Sequence, residues 1–398
     1  MDFWVVMKSN ISFADTSIAF SYKSDKELKK SHLLFSSINN PILSKLGANI
    51  VKFALKVKIP VKGIIKNTVF RHFCGGESID QCDVTIAKLA KYNIKTILDY
   101  AAEGESGIAS YDHAVEEILK TVEKGAGNPN IPFSVFKPTA LASKTLLEKI
   151  QLGKELTSEE AKEFEASKQR FDRVARACYE NGVQLYIDSE DSFYQDPIDE
   201  MTYELMGRYN KEKAVVFNTY QMYRVGMLEN LKNANEEGKA KGYHVGAKLV
   251  RGAYMEKERE RAEEKGYADP IMPDKKSTDE QYDNAVRYCV ENIDNMELCS
   301  GSHNENSNYL LVELIDKHKL DKGDKRIFFA QLYGMSDHIS FNLANAGYNV
   351  VKYVPFGPVE TVMPYLFRRA EENTSIAGQS SRELELIRKE LKRRKNGQ

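Results

Sequence analysis

Charged side chains stand where apolar runs end in this chain, and that placement is the first sign of chemistry. Lys137 closes the run 133–137, Asp188 closes 183–188, and Lys248 falls near the end of 245–250. Charges are rarely buried without a partner, so a lysine ending an apolar run implies a ligand or a counter-charge nearby. Arg368 and Arg369 are adjacent. On a helix they point about 100° apart, and only a ligand close to the helix meets both. The planar guanidinium donates two parallel hydrogen bonds to a carboxylate, so the pair reads as an anchor for a small carboxylic acid. Glu372 follows within one helical turn and can brace either arginine. A solvated helix face carrying an ordinary ion pair is the plainer alternative. Upstream, Tyr353, Pro355, Gly357 and Pro358 read as strand, turn and helix start, with Pro358 at the first helical position. Pro364 is then inside the helix and is expected to kink it.

These groups need a scaffold. Eight short apolar runs, at 94–100, 133–137, 183–188, 214–218, 245–250, 296–300, 326–331 and 349–353, alternate with stretches long enough for crossover helices. That count predicts an α/β fold, a (βα)8 TIM-like barrel, with an N-terminal helical arm. An open doubly wound sheet is the rival, but no run is followed by G-x-G-x-x-G. The expected organisation is an N-terminal helical region at 1–90, the barrel at 91–375 and a helical tail at 376–398. Polar residues follow every run: Asp99 and Glu103, Lys137, Asp188 and Glu190, Asn218 and Gln221, Lys248 and Arg251, His303, Gln331 and Tyr333, and Tyr353. In such a barrel this rim is where the active site is built.

Composition excludes several classes. With 57 basic against 58 acidic residues, the 398-residue chain offers no general attraction for nucleic acid. The five cysteines show neither C-x-x-C nor finger spacing, which fits free thiols in a reducing compartment. No secretory signal is read in residues 1–20, where Asp2, Lys8 and Asp15 interrupt any apolar core. No run approaches the ~20 apolar residues of a membrane span. The expectation is a cytoplasmic protein, at most peripheral on a membrane. Residues 44–76 carry Lys45, Lys52, Lys56, Lys58, Lys62, Lys66 and Arg71 with no acidic residue. They read either as a basic surface for an anionic membrane or as an arm packed on the barrel. The tail from Arg382 to Lys395, with Leu384, Ile387 and Leu391 on one side, could cover a pocket, dock on a membrane or fray.

Two long motifs carry a resemblance. Lys248-Leu-Val-Arg-Gly-Ala-Tyr254, and Tyr353-x-Pro-x-Gly followed by Tyr365-Leu-x-Arg-Arg-x-x-Glu-Asn373, resemble the monofunctional form of proline dehydrogenase. Leu98-Asp-Tyr-Ala-Ala-Glu103, Phe136-Lys-Pro-Thr-Ala140, Tyr186-Ile-Asp-Ser-Glu190, Phe217-Asn-Thr-Tyr-Gln221 and Ser302-His-Asn304 support it in order, over roughly residues 90 to 375. The resemblance implies an FAD enzyme that oxidises L-proline to 1-pyrroline-5-carboxylate, passes electrons to a membrane quinone and leaves its product to a separate dehydrogenase. It places the substrate carboxylate on Lys137, Arg368 and Arg369, the ring against Tyr254, Leu332 and Tyr353, and a gate at Glu103. Asp188 falls on the family's catalytic acidic position, expected to orient neighbouring cations, and Lys248 on that of the flavin N5 donor. Asn218, Val250, Arg251, Gly252, Ala253, Lys275, Thr278, Ser302, His303 and Glu372 fall on FAD-contact positions, and no metal is implied. Alternatives are hydroxyproline oxidation, a metal-dependent hydrolase or isomerase using Asp188, Glu190 and His303, and a non-catalytic carboxylate-binding barrel. Tyr353 argues for proline over hydroxyproline, because an aromatic wall leaves little room for a hydroxyl.

Overall fold

The computed structural model describes residues 11–38, 62–101, 107–375 and 379–397. Eight strands follow one another in sequence order and close into a barrel. They are β1 Ile94–Tyr100, β2 Phe133–Phe136, β3 Gln184–Ile187, β4 Val216–Gln221, β5 Val245–Val250, β6 Met296–Gly301, β7 Ile327–Leu332 and β8 Val350–Phe356. Every expected strand is present, and the neighbours whose register is defined are parallel. The chain divides into two compact units, residues 1–104 with 331–398, and residues 105–330.

Within 105–330, strand alternation sorts side chains onto two faces. One face carries an aromatic stack: Phe133 lies on Tyr186 at 4.5 Å, and Phe217 and Phe328 meet these rings edge-on at 5.0 and 4.8 Å. The other face of β4 turns Asn218 and Tyr220 toward Tyr203 on the Asp196–Tyr209 helix. Local chemistry sets the helix ends. Thr157 and Glu160 form a reciprocal capping box before Ser158–Asn181, and Gly182 ends that helix at φ 66°. Asp274 caps Lys275–Glu291 through the Ser277 N–H at 2.7 Å.

In the other unit β1 and β8 pair from Ile94↔Val350 to Tyr100↔Phe356. Strand β8 runs through Pro355, whose carbonyl accepts from the Gly75 N–H at 2.9 Å although the residue has no N–H of its own. The following helix begins at Met363, not at Pro358. Residues 358–362 instead form a turn, with the Thr361 and Val362 N–H groups both bonded to the Pro358 carbonyl. Pro364 is therefore in the first helical turn, where a missing N–H costs nothing and no kink is required. The tail helix Gln379–Lys395 packs on the N-terminal helices: Leu384, Leu386 and Ile387 are buried with Ala19, Phe20, Leu28 and Phe35. Arg394 donates to the Phe20 and Lys23 carbonyls. Most of the basic stretch read at 44–76 lies outside the described residues.

Candidate active site

The centre of the 105–330 unit is an ion pair. Lys248, buried on β5, donates to the Asp188 carboxylate at 2.5 Å. Its ammonium also stands 5.9 Å over the Tyr186 ring, which makes the aromatic stack the floor of the pair. The cation that Asp188 pairs with is Lys248. Lys137 follows β2 in extended conformation and is half-buried. Beside it, Glu190 accepts from the Thr139 N–H and hydroxyl at 2.8 and 2.7 Å. Burial raises the Glu190 pKa, against the Thr139 bonds and the Lys137 charge. Both Glu190 oxygens accept from Thr139, and Asp188 holds a lysine.

Asn218, expected at a flavin-contact position, has its side chain engaged within the protein. Its amide donates to Asp199 at 3.0 Å and to the Tyr203 hydroxyl at 3.4 Å, and its oxygen accepts from the Thr219 N–H. Those bonds lie on the helix side of β4, so the side chain ties strand to helix. Gln221 shares the Phe217 face by alternation. Its Nε2 donates to the Glu190 carbonyl at 2.9 Å, while its Oε1 is buried with no hydrogen-bond partner. The period of two, counted from Phe217, was the signal that distinguishes these amides.

A second cluster follows β5. Arg251 donates from Nε to Asp279 at 2.6 Å and from its terminal nitrogens to the Ser302 and Ser307 hydroxyls, both at 2.9 Å, and it stacks 4.3 Å over Tyr282. Lys275 pairs with the same Asp279. Burial works to raise the Asp279 pKa, but hydrogen bonds from Lys275 and Arg251 outweigh it and the net shift is downward. Thr278 is buried and bonds its own helix at the Asp274 carbonyl, and His303 is half-buried after β6. Gly252, at φ 138°, could not hold a side chain, because a Cβ would lie 2.3 Å from the Tyr223 ring. Tyr223 was missed in the sequence; its N–H bonds the Arg251 carbonyl at 2.7 Å and braces this loop. Val250 is half-buried, Ala253 exposed, and Tyr254 half-buried at the start of Met255–Lys265.

In the unit 1–104 with 331–398, Tyr353 is buried on β8, and its carbonyl accepts from the Tyr333 N–H at 2.8 Å. Leu332, half-buried at the end of β7, packs on a cluster containing Phe70, Phe73, Met335, Val362, Tyr365 and Leu366. Arg369 is buried with its guanidinium 5.1 Å over the Tyr365 ring, and Arg368 is half-buried one residue before it. Glu103 and the Glu372 side chain lie outside the described residues.

An isoalloxazine ring fits the 105–330 residues on two counts. Gln221 offers a buried acceptor that lacks a donor, which an imide N–H supplies. Lys248 offers a fixed cation at the strand ends.

A profile of the proline dehydrogenase family matches residues 82–382. Proline dehydrogenase 1, mitochondrial, of Dictyostelium discoideum is 34% identical over 96% of this chain and 74% of its own length. Hydroxyproline dehydrogenase of Xenopus laevis is 30% identical over 96% of this chain and 90% of its own. Among solved structures, proline utilization A from Bdellovibrio bacteriovorus, inactivated by N-propargylglycine, matches with a TM-score of 0.71 and 24% identity, covering 91% of this chain and 38% of that one. That likeness establishes the barrel fold. The profile and the relatives establish more: the chain belongs to the proline dehydrogenase family and is an oxidoreductase.

Proposed function

We propose that this protein oxidises L-proline to 1-pyrroline-5-carboxylate with FAD as its cofactor and a membrane quinone as the electron acceptor. The observation that carries the reading is the pairing of buried Lys248 with half-buried Asp188, together with the orphaned Gln221 acceptor. FAD, when bound, supplies the hydride acceptor. Lys248 then serves as a fixed donor toward it, and Asp188 keeps that ammonium aimed. Lys137, Arg368 and Arg369 take the substrate carboxylate, while Tyr254, Leu332 and Tyr353 pack on the ring. Glu103 is assigned as the gate, partnering Arg368. Arg251, with Ser302, His303, Lys275 and Thr278, belongs to the side that meets the cofactor's phosphates and adenosine, with Val250, Gly252, Ala253 and Glu372 as further contacts. Residues 91–375 form the catalytic barrel in this reading. Among the described residues no helix is long and apolar enough to cross a membrane. In this reading the quinone is met by peripheral contact with a membrane, and a separate dehydrogenase consumes the product.

The Xenopus relative keeps hydroxyproline as the second substrate to test, and the buried Tyr353 favours proline. The purified protein should be yellow, and under anaerobic conditions L-proline should bleach its flavin band faster than 4-hydroxyproline does. A colourless protein that takes up no FAD defeats the proposal, and faster bleaching by 4-hydroxyproline reverses the choice of substrate.

A further inference from the structure

A lysine with no exposed surface in the middle of a β-strand needs an explanation, because a buried ammonium is tolerated only where every N–H finds an acceptor. Lys352 of β8 is such a residue, at 0% exposure. Its Nζ has three acceptors, the number an ammonium requires: Asp337 at 3.2 Å, the Leu332 carbonyl at 3.3 Å and the Met335 carbonyl at 2.5 Å. Asp337 is itself buried, and its second oxygen accepts from the Tyr22 hydroxyl at 2.5 Å and from Lys23 at 3.1 Å. Tyr22 and Lys23 precede residue 82, where the family match begins.

The carbonyls that Lys352 holds belong to the turn between β7 and the Asp337–Asn345 helix. That turn is unfavourable on its own. Gly334 sits at φ 78° with the His72 carbonyl 2.4 Å from where a Cβ would be, and Ser336, a non-glycine, sits at φ 50°. It is tied down from several sides: His72 Nε2 donates to the Gly334 carbonyl at 2.9 Å, and the Ser336 N–H donates to Glu383 of the tail helix at 3.1 Å. Leu332 begins the turn, and Tyr353 is next to Lys352 on β8, facing the opposite way by strand alternation.

We propose that Lys352, Asp337 and Lys23 are positioning residues for the substrate. Through them the N-terminal segment holds the Leu332–Ser336 turn and the adjoining Tyr353, and so sets affinity for a small ring carboxylate without touching it. The inference rests on the reading of Leu332 and Tyr353 as the wall against the proline ring.

The test compares Lys23→Met and Lys352→Met with Glu390→Gln in the full chain. Glu390 is a buried residue of the tail helix that binds Arg393 and Arg394 instead of Asp337. In Lys23→Met, KM for L-proline should rise about tenfold with kcat within about twofold, since wall geometry affects substrate binding more than the chemical step. Amide deuterium exchange across Leu332–Ser336 should quicken in the same variant. Glu390→Gln should lower Tm while keeping the wild-type KM and the wild-type exchange in the turn. Lys352→Met should exceed Lys23→Met; if it does not fold, Lys23→Met decides, because Lys23 lies at the end of the cluster remote from the turn. A wild-type KM and wild-type turn exchange in Lys23→Met overturn the inference, as does an equal KM rise in Glu390→Gln. Wild-type protein inert toward proline would instead sink the functional reading, with the exchange arm still deciding whether the triad holds the turn.

Discussion

Two amides three positions apart on β4 show how little residue type alone decides. Asn218 and Gln221 offer the same donor and acceptor, yet Asn218 is used up between strand and helix while Gln221 keeps a buried oxygen unsatisfied. Leaving a buried acceptor unmade costs about 1–3 kcal/mol, so a ligand that satisfies it gains correspondingly. Gln221→Leu should therefore weaken FAD binding by roughly tenfold, and because it also strips the Glu190 carbonyl of its donor it should lower folded stability by about 1–3 kcal/mol, as read from FAD titration of the apoprotein and its melting curve. Asn218→Ala should cost stability alone. It strips Asp199 of a donor in a place where burial already raises that carboxyl's pKa. The loss should be about 1–3 kcal/mol in denaturant unfolding, with FAD affinity retained. If Asn218→Ala released the flavin and Gln221→Leu kept it, the assignment drawn from strand parity would be wrong.

Among the elements, the strands were the easiest to read, because a strand buried on both faces is a short apolar run and nothing else in the chain looks like one. Their ends were harder. Strand β8 extends past Tyr353 to Phe356 because Gly75 supplies a donor to Pro355, a partner more than two hundred residues away in sequence. The helix after it starts late because residues 358–362 close their own turn, a choice between two prolines that local signals do not settle. Lys352 passed unnoticed for a related reason. A lysine inside an apolar run does not name its partners, and Asp337, Leu332 and Met335 come into view only in the fold. The motif residues Lys248, Arg251 and Asp188 were legible as a set, whereas the partners of Arg251, Asp279 and Ser307, come from two later helices and carry no spacing signal. The tail helix was read as covering a pocket, docking on a membrane or fraying, and its apolar side instead packs on the N-terminal helices. Ile387 is fully buried against the N-terminal helices. Ile387→Ala should cost about 2–5 kcal/mol, and the variant's melting transition should shift accordingly. A tail that merely frayed would leave the transition where it is.

For the whole molecule, net charge is near zero at pH 7, so just below neutrality general repulsion is small and individual buried groups decide how stability first changes with pH. Three carboxyls, Glu190, Asp199 and Glu297, have pKa values raised by burial. The folded state holds their protons more readily than the unfolded chain, so they favour folding as pH falls. Asp337 acts oppositely. Burial tends to raise its pKa, but Lys23, Lys352 and Tyr22 pull it below the usual range, and its contribution is lost only in strong acid. The first loss belongs to His72. Burial, with the nearby Lys23 charge, holds its pKa down to about 3 from 6.5, against Asp337 and the Gly334 carbonyl. Between those values the unfolded chain binds a proton that the folded state refuses, so stability declines as pH drops below 6.5. The slope for one proton is about 1.4 kcal/mol per pH unit. His72→Gln keeps an N–H for the Gly334 carbonyl and removes the titration. Its unfolding free energy, measured by denaturant between pH 6.5 and pH 5, should fall less steeply than that of the wild type by about that one-proton slope. Identical slopes in the two proteins would mean that His72 takes up its proton in the fold, and that the N-terminal segment is not the part of the molecule through which acid begins to unfold it.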